Sequence, residues 1–406
     1  KTIEAYDSEL KRLNAIDLDG LLIEAVRLLE QGKATGFLKR LKHLLIDEFQ
    51  DINPHQARLV GLLEKTGLSI FAIGDPDQAI YGFRGAGVEH FLDFQRDYPQ
   101  AEVIRLKNNF RSGKEIVLAS QAVIANNGTR LENAVETPKS NAEIRLVRCA
   151  SEDSEAEFIV REIEKAMGGF GHLSIGEGIE AARFSDFAVL FRTNRQAAVL
   201  ADCFGRSSIP FHVAGPVGRN FWEFIEKLRA TLPEEGRTLV SHIRTQAVLH
   251  SIDENTLSLF LQRAAQYEGR AAKDALNELL DELLLFRPQD NIVIKADKVN
   301  LLTVHSSKGL EWRIVFIAGA ELGLIPLAMR GQDPDMEEER RLFYVAMTRA
   351  KERLYIINAR QRRLWGQTNP CKPSPFIAEI PSHLAITEDI EIKKPRKRPV
   401  QKPLFE

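Results

Sequence analysis

Two adjacent carboxylates, Asp47 and Glu48, follow directly on the apolar run Leu44-Leu45-Ile46. One helix-length later a second apolar run, Ile70-Phe71-Ala72-Ile73, ends in Gly74-Asp75. Short apolar runs spaced in this way read as parallel strands of a βαβ unit. In open α/β sheets, ligands bind beyond the carboxyl ends of the strands. A carboxylate pair at that place suits a hard cation such as Mg²⁺, held together with substrate phosphates. A solvated strand end is the plain alternative. Two desolvated carboxylates without a cation would, however, repel each other and cost stability.

The loop after the second run, GDPDQAIYGFRGA (74–86), adds further chemistry. Gln78 can orient a water or touch a terminal phosphate. Tyr81, Phe83 and Arg84 are the types that stack on unpaired bases and neutralise their phosphates. Tyr81 and Phe83 could instead alternate along an edge strand, but Gly82, Gly85 and Arg84 beside them favour a platform.

These groups need elements to hold them. Residues 17–31 carry leucines at helical spacing, an amphipathic helix for one face of a sheet. The pattern then predicts strand 43–46, helix 54–65, strand 69–73, a third strand over Glu102–Leu106 and helix 114–126. Asn53-Pro54 reads as a helix cap followed by proline in the first turn. A polar stretch, 126–141, marks a domain boundary. A second α/β region follows with strands at 143–147, 187–191 and 210–214 and helices at 154–167 and 195–204. The glycines of 168–178 lack the spacing of a dinucleotide fingerprint. Residues 221–285 are helical throughout, and strands resume at 299–304, 314–317 and 354–357, so the helical block interrupts an α/β domain. In the last helix Asp333 can cap, Pro334 suits the first position, Glu337–Glu339 favour the positive end, and Arg349 emerges at the far end. The basic segment near the C-terminus, IKKPRKRPVQKP, reads as a solvated tail. The expected class is therefore α/β: two parallel-sheet domains, the first incomplete, with a helical insertion in the second. The expected division is 1–126, a linker 127–142, a second domain of 143–216 and 298–380, an insertion 217–297, and a tail 381–406.

A length of 406 residues suggests two or three domains. A net charge of −2 excludes a global basic field, so any nucleic-acid contact must use a local groove. Cys149, Cys203 and Cys371 lie too far apart for a zinc cluster and fit a reducing, cytoplasmic setting. No signal peptide or bilayer-length apolar run is found, so no membrane is expected.

DEFQD (47–51) and GDPDQAIYGFRGA are followed in order by LKNNFRS (106–112), AVLFRTN (188–194), LLTVHSSKGLEW (301–312) and EEERRLFYVAMTRAKE (337–352). This series resembles superfamily 1 DNA helicases of the UvrD/Rep/PcrA group, over most of the chain. The resemblance implies two RecA-like domains that sandwich ATP with Mg²⁺ and ratchet along single-stranded DNA, 3′ to 5′, at junctions with duplex, in repair or recombination. It places Asp47 and Glu48 on the metal, Glu48 as activator of the attacking water, and Gln78 as sensor of the γ-phosphate. Phe110 takes the place of an aromatic that stacks on adenine (usually Tyr), Arg111 that of an arginine finger, and Arg349 that of a second phosphate arginine. Glu311 is placed on the ribose hydroxyl. Tyr81, Phe83, Arg84, Arg192, Asn194, Thr303, His305 and Lys308 fall on the DNA side, while Trp312, where Phe is commoner, should pack. Arg111 and Arg349 come from different segments, so the resemblance implies that they reach one phosphate only when the domains close.

Two departures qualify it. The phosphate-cradling pattern G-x-x-x-x-G-K-[ST] is absent: Gly32-Lys33 and Gly113-Lys114 lack the preceding glycine and are followed by Ala34 and Glu115. With a first residue of Lys1, this leads to the expectation of a C-terminal portion of a longer protein, inactive alone and partnered by the segment that carries the loop. The region available for the insertion is also smaller than in relatives. A non-hydrolysing DNA-binding or regulatory module is the alternative. Intact Asp47, Glu48, Gln78, Arg111 and Arg349 argue against it.

Overall fold

The computed structural model describes residues 2–33, 35–131, 135–168, 182–214, 220–233, 237–252, 254–267, 269–284, 297–328, 333–364 and 367–390. The glycine-rich loop singled out above and the basic run IKKPRKRPVQKP lie almost wholly outside them. Among the described residues no helix is long and apolar enough to cross a membrane.

Helices α1 (Thr2–Arg12), α2 (Leu18–Glu30) and α3 (Thr35–Leu38) precede β1 (His43–Ile46), α4 (Pro54–Glu64) and β2 (Ser69–Ala72). Asn53 and Gln56 exchange side-chain and backbone hydrogen bonds at the start of α4, with Pro54 in its first turn, so the helix begins where its first amides find acceptors. β1 and β2 pair in parallel, with Leu45 opposite Phe71. Short helices α5 (Glu89–Leu92) and α6 (Phe94–Asp97) follow. The strand expected at Glu102–Leu106 does not form. Val103, Ile104 and Leu106 are exposed, and without a ladder partner an alternating pattern gains nothing from extension.

Helix α7 (Lys114–Ile124) precedes the polar stretch yet packs on the second sheet: Ile116, Ala119 and Val123 are buried in its core. Gly113 N donates to Lys351 O at 2.9 Å, and Ser112 Oγ to Ala350 O at 2.6 Å. A Cβ at Gly113 would stand 2.6 Å from that of Ala142, so the close approach needs glycine.

The second sheet takes β3 (Glu143–Ser151), then α8 (Glu152–Ala166), β4 (Phe187–Phe191), α9 (Asn194–Gly205) and β5 (Phe211–Ala214). The chain leaves through α10 (Asn220–Arg229), α11 (Leu239–Leu249), α12 (Glu254–Ala264) and α13 (Ala272–Leu284). It returns as β6 (Val299–Thr303), β7 (Trp312–Ile317), α14 (Met336–Met347), β8 (Ala350–Leu364), β9 (Gln367–Pro370) and β10 (Ile386–Asp389). The strand order is β10-β3-β8-β7-β4-β6-β5, parallel throughout, with β9 antiparallel on β8. Every residue of β4 is buried, as a central parallel strand covered on both faces requires. Ala188 and Leu190 face the core under α7 and α14, while Phe187, Val189 and Phe191 face the core under α8 and α9. The insertion has its own core around Phe224, Ile243, Phe260 and Leu279. It leaves and re-enters between β5 and β6, which are neighbours, so it does not disturb the ladder.

Two further expectations change. β10 pairs with β3 beyond residue 380, so the sheet extends into what reads as tail in the sequence. Helix α14 is capped by Asp335, whose side chain accepts from Glu337 N and Glu338 N. Asp333 and Pro334 therefore stand outside the helix, because the second aspartate is the one that meets free amides.

Candidate functional site

Asp47 and Glu48 emerge exposed from the carboxyl end of β1. Glu48 has φ +51°, a left-handed conformation uncommon for a side-chain-bearing residue. Its amide donates to Asp47 Oδ1 at 2.9 Å, and its carboxylate accepts from Gln50 Nε2. Gln50 is fully buried, and its Oε1 accepts from Asp75 N at 3.0 Å, tying the ends of β1 and β2 together. A Cβ at Gly74 would displace Gln50 Oε1 and the Phe91 ring, which it would meet at 2.7 Å. Asp75 Oδ2 in turn accepts from Gln78 Nε2 at 2.8 Å. Gln50 leaves only a faint signal in the sequence, an uncharged polar residue inside an acidic run.

The opposite wall comes from the second sheet. Arg349, one residue past the α14 C-cap, is 1% exposed. Its guanidinium donates to Val345 O, Leu310 O and Thr348 Oγ1, each at 3.1 Å, and to Gln78 Oε1 at 3.3 Å. Desolvation, and then the charge of Arg111, bring its pKa down to about 10. Arg111 Nε pairs with Glu311, which also meets Lys351 Nζ at 2.8 Å. Arg111 is anchored through Ser112 and Gly113 to β8, so both arginines already belong to the same lobe. Lobe closure is not needed to bring them together; it can only change their distance from the carboxylates. The expectation that both reach one phosphate only on closure thus concerns the gap between this lobe and the carboxylates, not the gap between the two arginines. Phe110 beside them is 69% exposed.

Glu311 is drawn down to about 2, first by its bond to Lys351 and then by Arg111. A depressed carboxylate stabilises the fold above its unfolded value, near 4.5, and loses that contribution as pH falls through the folded value. Glu311→Gln should therefore lower the Tm modestly at pH 7, since the side chain is partly solvated. The deficit should close between about pH 4.5 and pH 2. Thermal unfolding across pH checks this; a constant deficit would count against it.

Lys308 departs from expectation. Its ammonium donates to the Asp51 carboxylate and to Gln78 O at 2.7 Å, and lies 3.4 Å from Glu48 Oε2. Its side chain is 6% exposed, so it braces the seam between the lobes and does not stand open at the surface. A desolvated ammonium needs its donors met, and the first lobe supplies the acceptors. Burial raises the Asp51 pKa despite this partner.

A second group adjoins the seam. Tyr81 Oη donates to His305 O at 3.3 Å, and the Phe83 and His305 rings meet edge-on with centroids 5.4 Å apart. Lys308 Nζ stands 5.4 Å from the Tyr81 ring centre, linking this group to the carboxylates. Phe83 keeps 64% of its surface exposed. Arg84 ends the 3₁₀ turn Gly82–Arg84, and its side chain lies outside the described residues. Thr303 Oγ1 is 2.9 Å from Ser306 Oγ and accepts from Ser306 N at 3.2 Å. Asn194 is exposed at the start of α9. Arg192 does not stand open at the surface: it pairs with buried Glu339 at 2.7 Å, and Glu339 also accepts from Leu327 N.

The lobe interface therefore brings together Glu48, Gln78, Lys308 and Arg349, with Arg111 and Glu311 alongside. Tyr81, Phe83 and His305 form the adjoining cluster. Among the described residues no group of three or more His, Cys, Asp or Glu could hold a metal. Two exposed carboxylates would still suit Mg²⁺ that draws its remaining ligands from phosphate and water.

The family model described as the UvrD-like helicase C-terminal domain matches residues 104–230 and 234–361, and that of the UvrD/REP helicase N-terminal domain matches residues 1–99. The chain belongs to the UvrD-like helicase family. ATP-dependent DNA helicase PcrA of Staphylococcus epidermidis is 30% identical over 478 residues, covering 94% of this chain and 64% of the relative. The protein of the same name from Staphylococcus aureus is 30% identical over 476 residues, covering 93% and 63%. The chain thus spans just under two thirds of the length of these curated relatives. In this UvrD-like chain the two family models meet ahead of α7, the helix that packs on the second sheet.

Proposed function

We propose that this chain supplies the water-activating, phosphate-sensing and base-stacking parts of an ATP-dependent DNA translocase. The observation that carries the reading is the bond from buried Arg349, on the second lobe, to Gln78, on the first. Residues suited to one terminal phosphate are thereby contributed from both sides of a seam. The PcrA relatives, named ATP-dependent DNA helicases, support the same reading.

In this reading Asp47 and Glu48 hold Mg²⁺, which when bound neutralises charge on the phosphates. Glu48 accepts the proton of the attacking water, Gln78 orients that water, and Arg111 and Arg349 offset charge developing on the transferred group. Phe110 stacks on adenine. Glu311 reaches the ribose hydroxyl only after loosening its hold on Arg111 and Lys351. Changes at the seam move the lobes over single-stranded DNA, 3′ to 5′, and the work served is repair or recombination in the cytoplasm. We place the division between the nucleotide-facing domains ahead of α7, not at residue 126.

The Tyr81–Phe83–His305 cluster is the proposed DNA platform, with Thr303, Asn194 and Arg84 as further contacts. Phe83→Ala should weaken binding of single-stranded DNA by about 1–3 kcal/mol, the range for one base stacked on an aromatic ring, and affinity should fall steeply with salt. Fluorescence anisotropy with labelled oligonucleotides measures both. Parental affinity in the variant would remove the platform.

The chain contains no G-x-x-x-x-G-K-[ST] sequence, which favours a second reading, a non-hydrolysing DNA-binding module. On the translocase reading the segment bearing that loop is the partner of the first sheet. Leu45 and Phe71 share an exposed face there, whereas parallel sheets are normally covered on both sides. The chain alone should show no measurable DNA-stimulated ATP hydrolysis and no unwinding. A polypeptide that joins it to a phosphate-cradling loop should show both. Hydrolysis by the chain alone would refute the first expectation, and an inert joined polypeptide would favour the module.

A further inference from the structure

Asp77 precedes Gln78 in the 3₁₀ turn Pro76–Gln78, and the reading above gives it no task. Its side chain is only 9% exposed, and Arg130 Nη2 donates to its Oδ2 at 2.9 Å. The segment carrying Arg130 is strapped to α14. Glu337 Oε1 accepts from Gly128 N at 2.8 Å and Thr129 N at 3.3 Å, and Arg341 Nη2 donates to Thr129 O at 3.2 Å. Asp77 is therefore held by the lobe that also carries Arg349. Asp77 Oδ1, Arg130 Nε and Arg341 Nε are buried without a hydrogen-bond partner among the described residues. Burial raises the Asp77 pKa. A desolvated ion pair with unfilled valences is a poor source of stability, since apolar replacements of such pairs are often neutral or stabilising.

We propose that Asp77 is a positioning residue that holds the Gln78 amide against Arg349. This rests on the reading of Gln78 and Arg349 as the phosphate-facing pair. The Pro76–Gln78 turn then has two anchors on the α14 lobe, Asp77 through Arg130 and Gln78 through Arg349. With both set, the Gln78 amide takes one orientation, Oε1 toward Arg349 and Nε2 toward Asp75.

The test is amide hydrogen exchange of the full chain, read on the peptide spanning residues 75–80. Asp77→Asn keeps shape and removes charge. It should raise exchange there about tenfold, leaving peptides from α8 and β8 unchanged. Neighbours that act together show non-additive effects. Arg349→Lys should accordingly raise exchange at 75–80 in the parent and add less than about twofold in the Asp77→Asn background. Fully multiplicative effects would mean a merely structural Asp77 and would overturn the proposal, as would unchanged exchange in Asp77→Asn. If that variant fails to fold, Arg130→Met makes the same cycle. No nucleotide enters the assay, so its failure is separable from failure of the ATP reading. The ATP reading would fail instead if Gln78→Ala left turnover unchanged in the joined polypeptide.

Discussion

Replacing Arg349 is expected to lower ATP turnover by about 10³–10⁵, the range for loss of an arginine that offsets transition-state charge. The measurement belongs in a polypeptide that joins this chain to a phosphate-cradling loop. Alanine is a blunt choice, because it would strand the Val345 and Leu310 carbonyls that the guanidinium now satisfies. Lysine is sharper. It keeps the charge but lacks the planar fork, so it cannot hold those carbonyls and reach Gln78 Oε1 at once. Arg349→Lys should therefore lose most of kcat while KM for ATP changes little, with circular dichroism unchanged. Parental kcat in a folded Arg349→Lys protein would remove Arg349 from the phosphate.

Glu48→Gln should cost about 10²–10⁴ in kcat, the usual contribution of a positioned general base. The substitution is isosteric, and its new amide can still accept from Gln50 Nε2. Nucleotide binding should survive, because Gln78, Arg111 and Arg349 are untouched. The left-handed backbone at Glu48 gives a structural reason to expect a role. Such conformations cost of order 1–3 kcal/mol and gather at functional sites. Unchanged turnover would exclude Glu48 as the base and, with it, hydrolysis at this seam.

The parts legible in the sequence were those decided by local chemistry. The runs ending in Asp47 and Asp75, the Asn53-Pro54 helix start and the strand Phe187–Phe191 all follow from spacing and residue type. What could not be read depends on partners distant in the chain. Lys308 and Arg192 carry the charge of a DNA contact, but Asp51 and Glu339 claim them. Helix α7 sits before a polar stretch that looks like a boundary, yet its apolar face matches a sheet formed later in the chain. Asp333 reads as the cap from the sequence, and backbone geometry gives that role to Asp335 instead. Residues 102–106 have the pattern of a strand and, among the described residues, no strand to pair with. Gln50 and Asp77 escape notice because their partners are distant in the chain, Gln50 tying the ends of two strands of the first lobe and Asp77 pairing with Arg130 across the seam.

The central claim is that a terminal phosphate is gripped between Gln78 and Glu48 on one lobe and Arg349 and Arg111 on the other. A crystal structure of the joined polypeptide with a non-hydrolysable ATP analogue and Mg²⁺ tests it most directly. The expected result is the γ-phosphate within hydrogen-bonding distance of both guanidinium groups and the Gln78 amide, with the metal on Asp47. An analogue bound elsewhere, or Arg349 still closed on Gln78 with no phosphate contact, would contradict it.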